Sequence, residues 1–181
     1  MSTERATLLF SSAAALVMAA LGLGFALATN SRAIMLDGVF NAIYFGVGLA
    51  TVRIERLVRE PDNARFPFGH AYFESLVNAG KGLVILGISA LALADSAMAL
   101  VGGGRAIAAE LAIGYALLAM ALCGFTALVL RRAAVRFESP LVDADAENWA
   151  LNAAVSGAVL AGFCLSPLLR AAGWPGAAPY V

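Results

Sequence analysis

Five long runs of apolar residues constrain this chain more than any other feature, because each is long enough to cross a bilayer as a helix. The hydrocarbon core is about 30 Å thick and a helix rises 1.5 Å per residue, so a span needs about 20 apolar residues. No water is present there to satisfy backbone groups, which selects helices over open strands. The runs are 6–29, ended by "NSR", and 33–52, interrupted by Asp37 and Asn41. They continue with 76–101, carrying Lys81 and Asp95 and ended by "GGGR", then 107–130, then 140–165, which opens on Pro140 and stops at "SP". Hydrophobic residues make up 61% of the chain and charged residues 13%, far from the usage of soluble domains. The expectation is an all-α, polytopic transmembrane helical bundle of five spans, residues 1–181 forming one domain.

The loops orient it. With the N-terminus inside, one face receives Arg5, Arg53, Arg56, Arg59, Arg65, Arg131, Arg132 and Arg136, and the other only Arg32, Arg105 and Arg170. Short cytoplasmic loops collect basic residues, so the N-terminus is expected in the cytoplasm, in an integral protein of a bacterial inner membrane. The first run also fits a signal peptide with a small-residue cleavage site, and its cleavage would leave four spans.

Several chemistries are excluded. Cys123 and Cys164 lie in apolar runs without metal-ligand spacing and read as packing residues. A lone histidine, His70, makes no zinc site by itself. There is no phosphate-binding glycine loop and no nucleophile with a base, so no enzyme activity and no organic cofactor is expected. The formal net charge of zero and the lack of an arginine–aromatic surface argue against nucleic acid as a partner.

Polar residues inside the runs remain, and buried ionisable groups are costly enough to be functional candidates. Asp37 and Asn41 share a helical face, with Tyr44 within about 20° of Asp37. Asp145, Asn148 and Asn152, spaced three and four, form one stripe on the fifth span. Counting helical rise in opposite directions, Asn41 falls level with Asn152 and Tyr44 with Asn148 near the midplane. Asp37 and Asp145 then flank that cluster from opposite sides. Lys81 could pair with Asp145 or with Asp37, because a buried charge needs a partner. Glu110 sits near a helix start, where acids are favoured, and reads as interfacial. In the loop, "FPFGHAYFES" holds Phe68, Gly69, His70 and Glu74. Its aromatic residues suit the headgroup region, while His70 and Glu74, four apart, would share a helical face and could make a transient metal contact.

These residues resemble the cation diffusion facilitator, or cation efflux, family over nearly the whole chain. "SRAIMLDGVFNAIY" is similar to its Ser-x-Ala…Asp-Gly pattern, "RFPFGHAYFESLVNAGKG" to its Pro-Phe-Gly-His…Glu signature, and "LVDADAENWALN" to its Ala-Asp-x-x-His-x-x-x-Asp segment. The resemblance implies export of a divalent metal such as zinc, iron, manganese or cobalt as substrate, proton antiport, and a homodimer in the lipid membrane. It implies a sixth span and a soluble domain as well, so a chain that stops at "GWPGAAPYV" reads as truncated before the sixth span.

The match departs from the family at its metal site. The usual ligand positions fall on Phe40 and Tyr44 of the second span and Asn148 and Asn152 of the fifth, a set ill suited to tetrahedral zinc. A remodelled ion pathway is therefore expected at Asp37, Asn41, Tyr44, Asp145, Asn148 and Asn152, with Asp37 and Asp145 as the metal-binding carboxylates. The alternative is a non-transporting assembly or partner subunit of the same family, in which small residues such as Gly157 and Ala161 permit close helix contact.

Overall fold

The computed structural model describes residues 3–58, Phe66, His70, 72–101 and 109–173. Within them run α1 (Thr3–Thr29), α2 (Arg32–Val58), α3 (Tyr72–Val101), α4 (Ala109–Phe137) and α5 (Pro140–Ala171). Four helices, all except α5, hold segments long and apolar enough to cross a membrane. The first half of α5 instead carries Asp143, Asp145, Glu147, Asn148 and Asn152. Phe68 and Gly69 lie outside the described residues.

The helices outrun the apolar runs. α2 continues six residues past Val52 through Arg53, Glu55 and Arg56, and α4 seven past Leu130 through Arg131, Arg132 and Arg136. Arginine, glutamate and alanine are good helix formers, so a charge ends contact with hydrocarbon without ending the helix. α2 is 27 residues, about 40 Å at helical rise, and exceeds the hydrocarbon thickness.

Two tight turns set the topology. After α1, Asn30 takes a left-handed φ of 55° and the Ser31 hydroxyl accepts from the Ile34 N–H at 3.4 Å, capping α2. After α4, Glu138 has φ 49° and the Ser139 N–H donates to the Ala134 carbonyl at 3.3 Å, which closes α4 in the Schellman manner. The Ser139 hydroxyl then accepts from the Val142 N–H at 3.3 Å and starts α5. Each turn reverses the chain, so α1–α2 and α4–α5 are antiparallel hairpins, and α1, α2, α4 and α5 pack as a bundle.

Small residues bring the backbones together. A Cβ on Gly22 would lie 2.7 Å from Gly38 Cα, and one on Gly48 would lie 2.4 Å from the Ser12 hydroxyl. No larger residue fits at the Gly22–Gly38 crossing without moving α1 from α2. A Cβ on Gly157 would meet the Met120 sulfur at an ordinary 3.5 Å, so no close approach requires that glycine, and Ala161 faces outward. Helical hydroxyls close on the carbonyl four residues back, as Thr29 does to Phe25 at 2.7 Å and Thr126 to Leu122 at 2.8 Å. Such bonds keep these groups satisfied away from water.

The polarity of the bundle is inverted relative to a soluble domain. Leu27, Leu83, Leu93 and Val135 face outward, while Asn41, Thr51, Glu55, Lys81, Asp145 and Asn148 are buried. This is the arrangement of a helical transmembrane bundle whose surface meets lipid. Cys123 packs in the interior as expected, but Cys164 is exposed on the outer face of α5, because it lies beyond the part of that helix covered by neighbours. Helix α3 lies at the side, chiefly against α2.

Candidate ion pathway

The ends of the bundle have distinct chemistry. Glu4, Glu55, Glu74 and Glu138 line a cavity of about 190 Å³ at one end, where α1, α3 and α5 begin and α2 and α4 finish. At the other end Arg32 pairs with Asp95 at 3.4 Å, joining the start of α2 to the last third of α3. Both partners of that pair touch solvent, so it contributes little to stability.

A larger cavity, about 330 Å³, opens among α2, α3, α4 and α5 in the half toward Arg32. Its polar lining is Asp37, Ser89, Asp95, Ser96, Tyr115, Asn148, Asn152 and Ser156, set in a mostly aliphatic wall that includes Phe40. Asp37 is the acid of α2 that reaches it. The Tyr115 hydroxyl of α4 donates to the Asp37 carboxylate, and the Asn41 amide donates to its Oδ1 at 3.3 Å and to the Asp37 carbonyl at 2.9 Å. Charge-assisted donors of this kind hold the half-buried carboxylate in one orientation. Asn152 has a buried side-chain nitrogen with no hydrogen-bond partner, an amide left for a ligand or water.

One turn closer to the glutamate end lies a second polar cluster. Lys81 of α3 is bonded to Asp145 of α5, whose Oδ1 also accepts the Tyr44 hydroxyl of α2 at 3.0 Å. Their side chains are 4% and 2% exposed, so this is a fully buried ion pair. Just beside it Trp149, at the core of the bundle, donates to the Ser11 hydroxyl at 2.9 Å and fixes α5 against α1.

The sequence-derived pairing shifts by one turn. Tyr44 meets Asp145 rather than Asn148, and Asn41 turns back on Asp37 rather than reaching Asn152. The cause is that a carboxylate is the stronger acceptor for both donors. Asp37 shares the cavity with Asn148 and Asn152, whereas Asp145 does not line it. Lys81 selects Asp145 from its two candidate partners.

At the loop signature, α3 begins at Tyr72, so His70 precedes the helix and does not share a helical face with Glu74. His70 is buried, its carbonyl accepts the Phe73 N–H at 3.0 Å, and its ring lies 4.6 Å from that of Phe66. Phe66 also lies against Tyr72 and Phe73, so Phe66, His70, Tyr72 and Phe73 form an aromatic cluster at the entry to α3. Among the described residues no group of three His, Cys, Asp or Glu side chains is placed to hold a metal ion. Glu110 is exposed in the first turn of α4, as expected of an interfacial acid.

Tyr115 was not among the residues singled out from sequence. A lone tyrosine in the apolar run of α4, 78 residues from Asp37, has no spacing that announces the contact. The only signal is that a phenol in a lipid-spanning helix needs an acceptor. The glutamate cavity also draws on Glu4, Glu55 and Glu138, which lie on three separate elements and share no motif.

A family model described as the cation efflux transmembrane domain matches residues 8–181. No curated protein and no solved structure matches the chain.

Proposed function

Because this chain belongs to the cation efflux family of metal cation transporters, we propose that it exports a divalent cation in exchange for protons through a remodelled site in the cavity of about 330 Å³. The observation that carries this reading is that Asp37, Asn148 and Asn152 line one cavity between helices. Carboxylate and amide oxygens suit a hard or weakly held divalent ion better than they suit zinc in a tetrahedral site. Phe40 and Tyr44, at two of the family's usual ligand positions, add no charge. Asp37 is the carboxylate that receives the cation, and it carries the counter-transported proton when the cation is absent. Asp145 is the second carboxylate of the pathway, between Asp37 and the glutamate end. The glutamate end is cytoplasmic, the protein sits in a bacterial inner membrane, α5 is its fifth span, and two copies form a dimer.

One observation favours a second reading. All four usual ligand positions lack a charged or imidazole side chain, and Asp145 is already engaged by Lys81 and Tyr44. A partner subunit that has lost transport would have these properties.

Uptake of zinc, manganese(II), iron(II) and cobalt(II) into proteoliposomes under a pH gradient separates the two. The transporter reading expects saturable uptake of at least one metal, abolished by Asp37→Asn and reduced at least tenfold by Asn152→Leu. No uptake of any of the four, from protein that is folded and inserted, rejects transport and leaves the partner subunit.

A further inference from the structure

Lys81 is the one buried side chain among those described in α3. The other described residues of that helix are partly or fully exposed, so its single deep anchor among them is an ammonium ion. The residues around it lie in the same order on three helices. On α2, Asp37 and Phe40 line the larger cavity, Tyr44 follows, and Glu55 and Val58 line the glutamate cavity. On α3, the larger cavity takes Ile85 to Ser96 and the glutamate cavity Glu74, with Lys81 between. On α5, the larger cavity starts at Asn148 and the glutamate cavity ends at Leu141, with Asp145 between. The knot of Tyr44, Lys81 and Asp145 therefore separates the two cavities on α2, α3 and α5, while α4, which also lines both through Tyr115 and Phe137, adds no residue to it.

We propose that Lys81 is a tethered counter-cation that occupies Asp145 when no substrate ion is bound and closes the path between the cavities. A divalent ion that reaches Asp145 meets the ammonium on the same carboxylate, and the two cations repel each other at that separation. Passage requires the lysine to leave. Its departure removes the deep anchor of α3 on α5 and opens the route to the glutamate cavity. The Tyr44 hydroxyl stays with Asp145 and keeps the carboxylate oriented during the exchange. Lys81 is in this sense a positioning residue, setting when Asp145 is available. The inference rests on the proposed transport function and deepens it.

The test uses the full chain in detergent and lipid. Titration with zinc, manganese(II), iron(II) and cobalt(II) should give at least tenfold tighter binding of one metal to Lys81→Met than to the unsubstituted protein. Lys81→Arg, which keeps the charge, should bind as weakly as the unsubstituted protein. In the unsubstituted protein, mass-spectrometric acylation of Lys81 should be slow without metal and at least threefold faster with it. Binding by Lys81→Met that is no tighter, or that equals Lys81→Arg, overturns the proposal. If Lys81→Met does not fold, the acylation rate decides, and a rate unchanged by metal overturns it. Metal-insensitive Lys81 in a protein that transports rejects the tethered cation alone. No binding and no transport by any form rejects the transport function with it.

Discussion

Removal of the Asp145 carboxylate is the sharpest perturbation of the bundle. Asp145→Ala deletes the acceptor of both the Lys81 ammonium and the Tyr44 hydroxyl, which lie on α3 and α2 respectively. With side chains 4% and 2% exposed, the Lys81–Asp145 pair escapes the solvent screening that makes surface pairs weak. Breaking a buried pair from one side leaves an uncompensated charge and costs about 3–5 kcal/mol. That is about two to three and a half powers of ten in the folding equilibrium, since 1.4 kcal/mol is tenfold. Replacing both partners by apolar residues, Lys81→Met with Asp145→Leu, removes the charge altogether and should recover most of the loss. The double-mutant cycle, with Lys81→Met and Asp145→Leu as its single variants, should then give a coupling of at least about 1 kcal/mol. The assay is reversible unfolding in mixed micelles of rising denaturing-detergent fraction, followed by helical circular dichroism and by tryptophan fluorescence, to which the buried Trp149 contributes. A loss below about 1 kcal/mol for Asp145→Ala, or a double variant as unstable as the summed singles, would refute the reasoning.

Three further outcomes follow from the same geometry. Tyr115→Phe removes the hydroxyl donated to Asp37 and should cost about 1.5–3 kcal/mol in the unfolding assay while lowering metal uptake, because a hydrogen bond to a charged group is lost. Gly38→Ala forces a Cβ to within 2.7 Å of the Leu23 nitrogen and should cost about 1–3 kcal/mol, with Gly24→Ala, where nothing lies within 4 Å, as the neutral control. Ser139→Ala removes the cap of α5 and should cost about 1 kcal/mol by the same unfolding measurement, with metal uptake retained.

The five helices were legible because lipid imposes a length and a polarity on a crossing helix, and both are written in consecutive residues; four of the five are long and apolar enough to cross. The helix ends were not, since Arg53, Arg56 and the 131–136 segment continue helices past the last apolar residue of each run. The stripe of Asn148 and Asn152 with Asp145 was legible from helical spacing. Its division was not, because Asp145 lies below the cavity that its two amides line, and only the depth at which Lys81 arrives from α3 decides that. Sequence reasoning limited Lys81 to two partners by the cost of an unpaired charge, and the packing of α3 chose between them. Tyr115 and the Gly22–Gly38 crossing depend on contacts between helices, so no local pattern carries them.

The central claim is that a cation and a proton exchange at Asp37 in the larger cavity. The most direct measurement places a pH indicator and a metal indicator inside the same proteoliposomes and records both on addition of each metal. The account predicts that one metal enters as protons leave, in a fixed ratio, and that Asp37→Asn stops both signals together. Metal entry without proton movement, or both signals unchanged in Asp37→Asn, would contradict it.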